Sequence, residues 1–135
     1  MAIGSPVLGQ TNFDTLSTKA LVLTKMGRDA EAQTIMQAAV HHPSATSLDI
    51  HQYGRQLLAA KKNQEALEIF KLNAQRNGDA WPVNVGLARG YMAVGDYQKA
   101  AEYAQKAAAQ APDPVNKKNL ESMAQTLATG KPYDN

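Results

Sequence analysis

Residues 84–107 read NVGLARGYMAVGDYQKAAEYAQKA, and the spacing of their small and apolar side chains decides the fold. Leu87, Ala88 and Tyr91 share one face of a helix, Gly95 interrupts it, and Tyr97, Ala100, Ala104 and Ala107 carry a second helical stripe. The same columns recur upstream at steps of 34 residues. Ala100 lands on Ala66 and then Ala32, and Ala104 lands on Phe70 and Met36. Before the break, Asn84, Ala88 and Tyr91 correspond to Ile50, Gly54 and Leu57, and these to Leu16, Ala20 and Leu23. A further column holds Leu87, Tyr53 and Lys19, so the first copy fits the apolar pattern least well. A fixed period of this length marks stacked helix-turn-helix units, none of which buries its apolar face alone. The question becomes which surface binds, not which residue reacts.

Filled together in three copies, these columns resemble the tetratricopeptide repeat signature W-x2-L-G-x2-Y…A-x3-F…P over roughly residues 13 to 114. The fullest copy runs Leu87, Ala88, Tyr91, Gly95, Tyr97, Ala100, Ala104, Ala107 and Pro112. The resemblance implies an all-α solenoid in a single domain: an irregular segment 1–12, repeats at 13–46, 47–80 and 81–114, a capping helix 115–130 and a tail 131–135. Within each unit a small residue such as Gly54, Ala88 or Ala100 lets two helices approach while Leu57, Phe70 or Tyr91 fills the space beside it. Residues 47–130 also resemble the helical tail of a bacterial family of unknown function, in which a β-rich domain precedes such repeats. That likeness implies a bacterial source, leaves open cytoplasm or export within a longer parent, and supplies no activity.

Local chemistry sets seven helices. The first begins near Asn12 or Asp14 and stops at Gly27; its partner runs from Arg28 to His41, ahead of Pro43. The third follows Thr46 or Ser47 and reaches Lys61, and the fourth spans Asn63 to Arg76 before Asn77-Gly78. Asp79 is the expected cap of the fifth, which tolerates Pro82 in its first turn and ends at Gly95. The sixth runs from Asp96 to Ala111 and is closed by Pro112 with Pro114. The seventh runs from Val115 to Thr129. Its Leu120, Met123, Ala124 and Leu127 have slipped by about two residues from the period, as a cap with wet Lys117, Lys118 and Glu121 would. Upstream, a short Gly-, Pro- and Ser-rich run precedes the first repeat. It predicts either an excised fragment or an irregular cap of Ile3, Val7, Leu8 and Phe13.

Composition narrows the function. The 135 residues amount to one domain, with 44% hydrophobic residues but only two Phe and one Trp, as an alanine-rich helical core requires. No cysteine is present, so thiol chemistry and thiolate metal sites are excluded. Fourteen basic residues against twelve acidic leave a net charge of +2, spread evenly; Lys61-Lys62 and Lys117-Lys118 are the only adjacent basic pairs, which argues against nucleic acid. No apolar run is long enough to span a bilayer, and the start has no basic-then-apolar export signal, so the chain reads as soluble. A Gly-rich phosphate loop, G-x-S-x-G and H-E-x-x-H are all missing, so no enzyme and no cofactor is predicted.

In the family, the first helix of each unit lines a concave groove. Carried over by register, that surface holds Ser17, Leu21 and Thr24, then His51, Arg55 and Leu58, then Val85, Arg89 and Met92. Arg55 and Arg89 occupy equivalent places, so their guanidinium groups should lie side by side. Two readings stand for them: a bidentate grip on a carboxylate or acidic segment, or pairing with Asp and Glu on neighbouring helices. Where the chaperone-tail clamp of other members needs Lys or Asn, this chain has Ser17, Leu21, Pro82 and Gly86. Leu21, Leu58, Val85 and Met92 suit an apolar peptide face or burial by adjacent helices. His41, His42 and His51 lack metal-ligand spacing and read as a solvated helix end; Trp81 is expected to pack at the junction of the second and third units, and Tyr53, Tyr91, Tyr97 and Tyr103 in the core. The chain is thus expected to be a non-catalytic module binding a protein or peptide, with acidic or free-carboxylate character. The alternative is a structural tail that packs on a parent domain or self-associates through its N-terminal end.

Overall fold

The computed structural model describes residues 11–133, so the expected cap residues Ile3, Val7 and Leu8 lie outside the described residues. Among the described residues are seven helices and no strand: α1 Phe13–Lys25, α2 Asp29–His41, α3 Ser47–Ala59, α4 Asn63–Asn77, α5 Trp81–Ala93, α6 Tyr97–Gln110 and α7 Pro114–Ala128. Every expected helix is present, with ends displaced by no more than two residues. The chain divides into two compact units, Met1–Asp49 and Ile50–Asn135. Among the described residues no helix is long and apolar enough to cross a membrane.

In the first unit, Asn12 caps α1 through a reciprocal pair of bonds. Its Oδ1 accepts from the Thr15 amide at 2.9 Å, and Thr15 Oγ1 accepts from the Asn12 amide at 3.1 Å. α1 packs on α2 around Ala20, Leu23 and Ala32, with Ile35 and Met36 half-buried beside them. Lys19, placed by register in an apolar column, is exposed.

One turn geometry recurs at the repeat period. The amides of Arg28, Lys62 and Asp96 bond the carbonyls of Leu23, Leu57 and Tyr91, each at 2.9 Å, and those of Gly27, Lys61 and Gly95 bond Thr24, Leu58 and Met92. This is the Schellman closure, which needs a left-handed residue after the helix. Gly27, Lys61 and Gly95 supply it with φ of 81°, 62° and 87°. The following helix then starts on the amides of Ala32, Ala66 and Ala100, which bond the carbonyls of Arg28, Lys62 and Asp96. The three alanines that reveal the period thus sit four residues into a repeated turn.

Within Ile50–Asn135 consecutive helices pack on one another in the manner of an α-solenoid. Phe70, 1% exposed, is the pivot of its first half. A Cβ on Gly54, Gly86 or Gly90 would come within 2.6, 2.5 or 3.0 Å of the Phe70 ring, so α3 and α5 approach α4 through bare backbone. Gly54 was legible in its column; Gly86 and Gly90 were not. Further on, Ala100, Ala104 and Ala107 of α6 are fully buried and meet Leu120, Met123, Ala124 and Leu127 of α7, whose Lys117, Lys118 and Glu121 are exposed. Tyr91 and Tyr103 stack with centroids 5.5 Å apart, and Lys71 and Lys99 lie over Tyr91.

Two expectations need correction. Asp79 does not cap α5: the cap is Ala80, without a side-chain bond. Pro82 deprives the first turn of an amide, and the Asp79 carboxylate instead accepts from Asn84 Nδ2 at 2.6 Å. Asn84, in a column that holds Leu16 and Ile50, is 2% exposed and also donates to Gln110 Oε1 at 2.8 Å, so a polar bridge replaces an apolar contact. Pro114 does not close α6 but opens α7, where Asp113 caps the Asn116 amide at 2.8 Å.

Candidate functional site

A cavity of about 600 Å³ lies within the second unit. α3 contributes His51 and Arg55, and α5 contributes Trp81 with Pro82, Val85 and Arg89. α7 contributes Asn116, Asn119, Leu120 and Met123, and the segment after α7 adds Tyr133. Spacings of three and four residues put each set on one face of its helix. The walls are therefore mixed: two guanidinium groups and two amides around apolar and aromatic surface, with no Asp or Glu among the lining residues.

That composition sets the electrostatics. Burial chiefly disfavours the Arg89 charge, the field of Arg55 adds to this, and Tyr133 opposes it. His51 has its pKa lowered from 6.5, first by burial and then by Arg55 and Arg89, so the ring is neutral at pH 7. Its ring meets Phe70 at 5.6 Å, and Nδ1 is buried with no hydrogen-bond partner among the described residues. It is therefore not part of a solvated helix end. The other two histidines are: His41 Nδ1 lies 2.8 Å from the Gln37 carbonyl and His42 Nδ1 lies 2.8 Å from Ser44 Oγ. Ion pairs join Arg28 to Glu31, Lys71 to Glu68 and Lys106 to Asp79, and none of these involves Arg55, which one reading paired with a neighbouring acid.

Of the nine residues placed on the groove by register, His51, Arg55, Val85 and Arg89 come together here. Met92 lies just off the lining, with Sδ accepting from the Tyr133 amide at 3.4 Å, and Leu58 is half-buried elsewhere on α3. Ser17, Leu21 and Thr24 belong to the first unit. There Ser17 is half-buried, Leu21 is 56% exposed, and the exposed Thr24 hydroxyl donates to the Ala20 carbonyl at 3.0 Å. Trp81 packs toward the α5–α7 core and forms a cavity wall, which is more than a junction role.

The α7 wall was missed although a signal existed. His51, Val85 and Asn119 are each 34 residues apart, as are Arg55, Arg89 and Met123, and all six line the cavity. The slip seen in the apolar stripe of α7 concealed that its groove positions keep the period.

A family model described as Tetratricopeptide repeat matches residues 57–122. This stretch is similar to tetratricopeptide repeats. No curated protein and no solved structure matches the chain. The matched tetratricopeptide segment includes Trp81 to Leu120 of the cavity walls and stops short of His51, Arg55, Met123 and Tyr133. Such repeats generally mediate protein–protein interaction.

Proposed function

We propose that this chain is a non-catalytic protein-interaction module whose groove holds an acidic segment or a free carboxylate of another protein between Arg55 and Arg89. The observation that carries this reading is the pair of guanidinium groups at equivalent repeat positions in one cavity with no acidic lining residue. Each guanidinium presents a planar fork that matches a carboxylate, and partial desolvation strengthens the bond relative to open water. Val85, Leu120 and Met123 supply apolar surface for the residues flanking the acid.

The test uses a fluorescein-labelled peptide of alternating Glu and Leu with a free C-terminus. Arg55→Ala with Arg89→Ala is expected to weaken binding about 10- to 100-fold, the scale of losing charge-assisted hydrogen bonds. Helical content and melting temperature should stay near those of the parent. Unfolding of the double variant, or unchanged peptide affinity, would sink this reading.

A further inference from the structure

The segment after α7 has no part in the proposed grip, yet it lies in the same cavity. α7 ends at Ala128, and Gly130, at φ 83°, turns the chain out of the helix. Pro132 fixes its own φ and biases Lys131 toward extended backbone on the way back to α5. Tyr133 arrives 41 residues away in sequence from Met92, where its amide donates to the thioether at 3.4 Å. Its ring packs on the core of α5–α7 and lines the cavity together with Arg89, which lies one helical turn from Met92. Arg89 is half-buried, whereas its repeat equivalent Arg55 is exposed.

The attachment is light. Thioether sulfur is a weak acceptor, Lys131 and Pro132 are exposed, and Tyr133 is only partly buried. A segment held this way occupies the site without locking it.

We propose that residues 131–133 are an internal ligand of the cavity: Tyr133 fills its Arg89 end, and a partner's acidic segment binds by displacing it. The displacement half rests on the function proposed above, whereas the occupancy half stands without it.

The experiment therefore reads the two separately. Phenylglyoxal modification of the full chain, of Tyr133→Ala, of Tyr133→Phe and of a chain ending at Gly130 is followed by peptide mapping, with Arg55 as the internal reference. Circular dichroism establishes that each variant is folded. Removing the tyrosine ring or the segment is expected to accelerate Arg89 modification by about threefold or more with Arg55 little changed, while Tyr133→Phe keeps the parent rate. Iodide quenching of Trp81, the chain's only tryptophan, should rise in the same two variants. The labelled Glu-Leu peptide should bind them about three- to tenfold more tightly, because no molecules are then held in the Tyr133-occupied form that cannot bind. Equal Arg89 rates in all four chains overturn the proposal. Faster Arg89 modification with no peptide binding to any chain leaves Tyr133 as an occupant and discards displacement together with the acidic-segment reading.

Discussion

His51 is where a single residue links stability to binding. Its imidazole is pressed against Phe70 and faces two arginines, so burial and like charge both resist a proton. Above pH 6.5 the ring is neutral in folded and unfolded chains and contributes no pH dependence. Below it the unfolded chain takes up a proton that the folded chain refuses, so stability falls as pH drops from 6.5 through the lowered folded value. Urea midpoints at pH 7.5 and 5.5 should differ less for His51→Gln than for the parent; an unchanged difference would remove His51 as the cause. A bound anion reverses the local sign by stabilising the imidazolium. The Glu-Leu peptide should accordingly bind the parent more tightly at pH 5.5 than at 7.5, and His51→Gln should lose that gain. The groove position of His51 was readable from the repeat register, but its burial was not, because it depends on the bare backbone of Gly86, whose built Cβ would stand 3.2 Å from Nδ1.

The recurring turn shows how far element boundaries can be read. Gly27 and Gly95 announce helix ends because a left-handed residue is needed there, and the repeat period puts Lys61 at the same place. A lysine pays a steric cost of about 1–2 kcal/mol in that conformation, partly offset by the smaller backbone entropy it loses relative to glycine. Lys61→Gly is therefore expected to stabilise the protein by about 0.5–1 kcal/mol, seen as a higher urea midpoint with unchanged slope. A lower midpoint would mean that the lysine side chain makes a contact worth more than the strain. Where readings of the ends failed, a tertiary partner had taken the local group. Asp79 has the chemistry of a cap, but Asn84 claims its carboxylate. Asn84 itself hides in an apolar column because its partners, Asp79 and Gln110, come from outside its helix. Periodicity reports which face is inward, not what is bonded there.

At the scale of the whole molecule the two units differ in what they bury. The period was legible in all three copies, and the poor fit of the first, with Lys19 in an apolar column, already set it apart. The described core of α1 and α2 is mostly alanine, with Leu23 and Val40 its largest buried side chains. The second unit buries Phe70, Ile50, Leu127, Val83 and Met123. A larger side chain taken fully out of water contributes roughly 1.5–3 kcal/mol, and alanine far less. In repeat architectures stability is close to a sum of unit and neighbour terms, so a unit with a thin core opens before the rest. Hydrogen exchange followed by mass spectrometry should find the amides of α1 and α2 exchanging about tenfold or more faster than those of α5 and α6 under native conditions, a gap of about 1.4 kcal/mol in opening free energy. Phe70→Leu, which loosens the packing of Gly54, Gly86 and Gly90 around the ring, should accelerate exchange in α5 and narrow that gap. Equal protection across the four helices in the parent would instead require the first unit to draw stability from contacts other than its own alanine core.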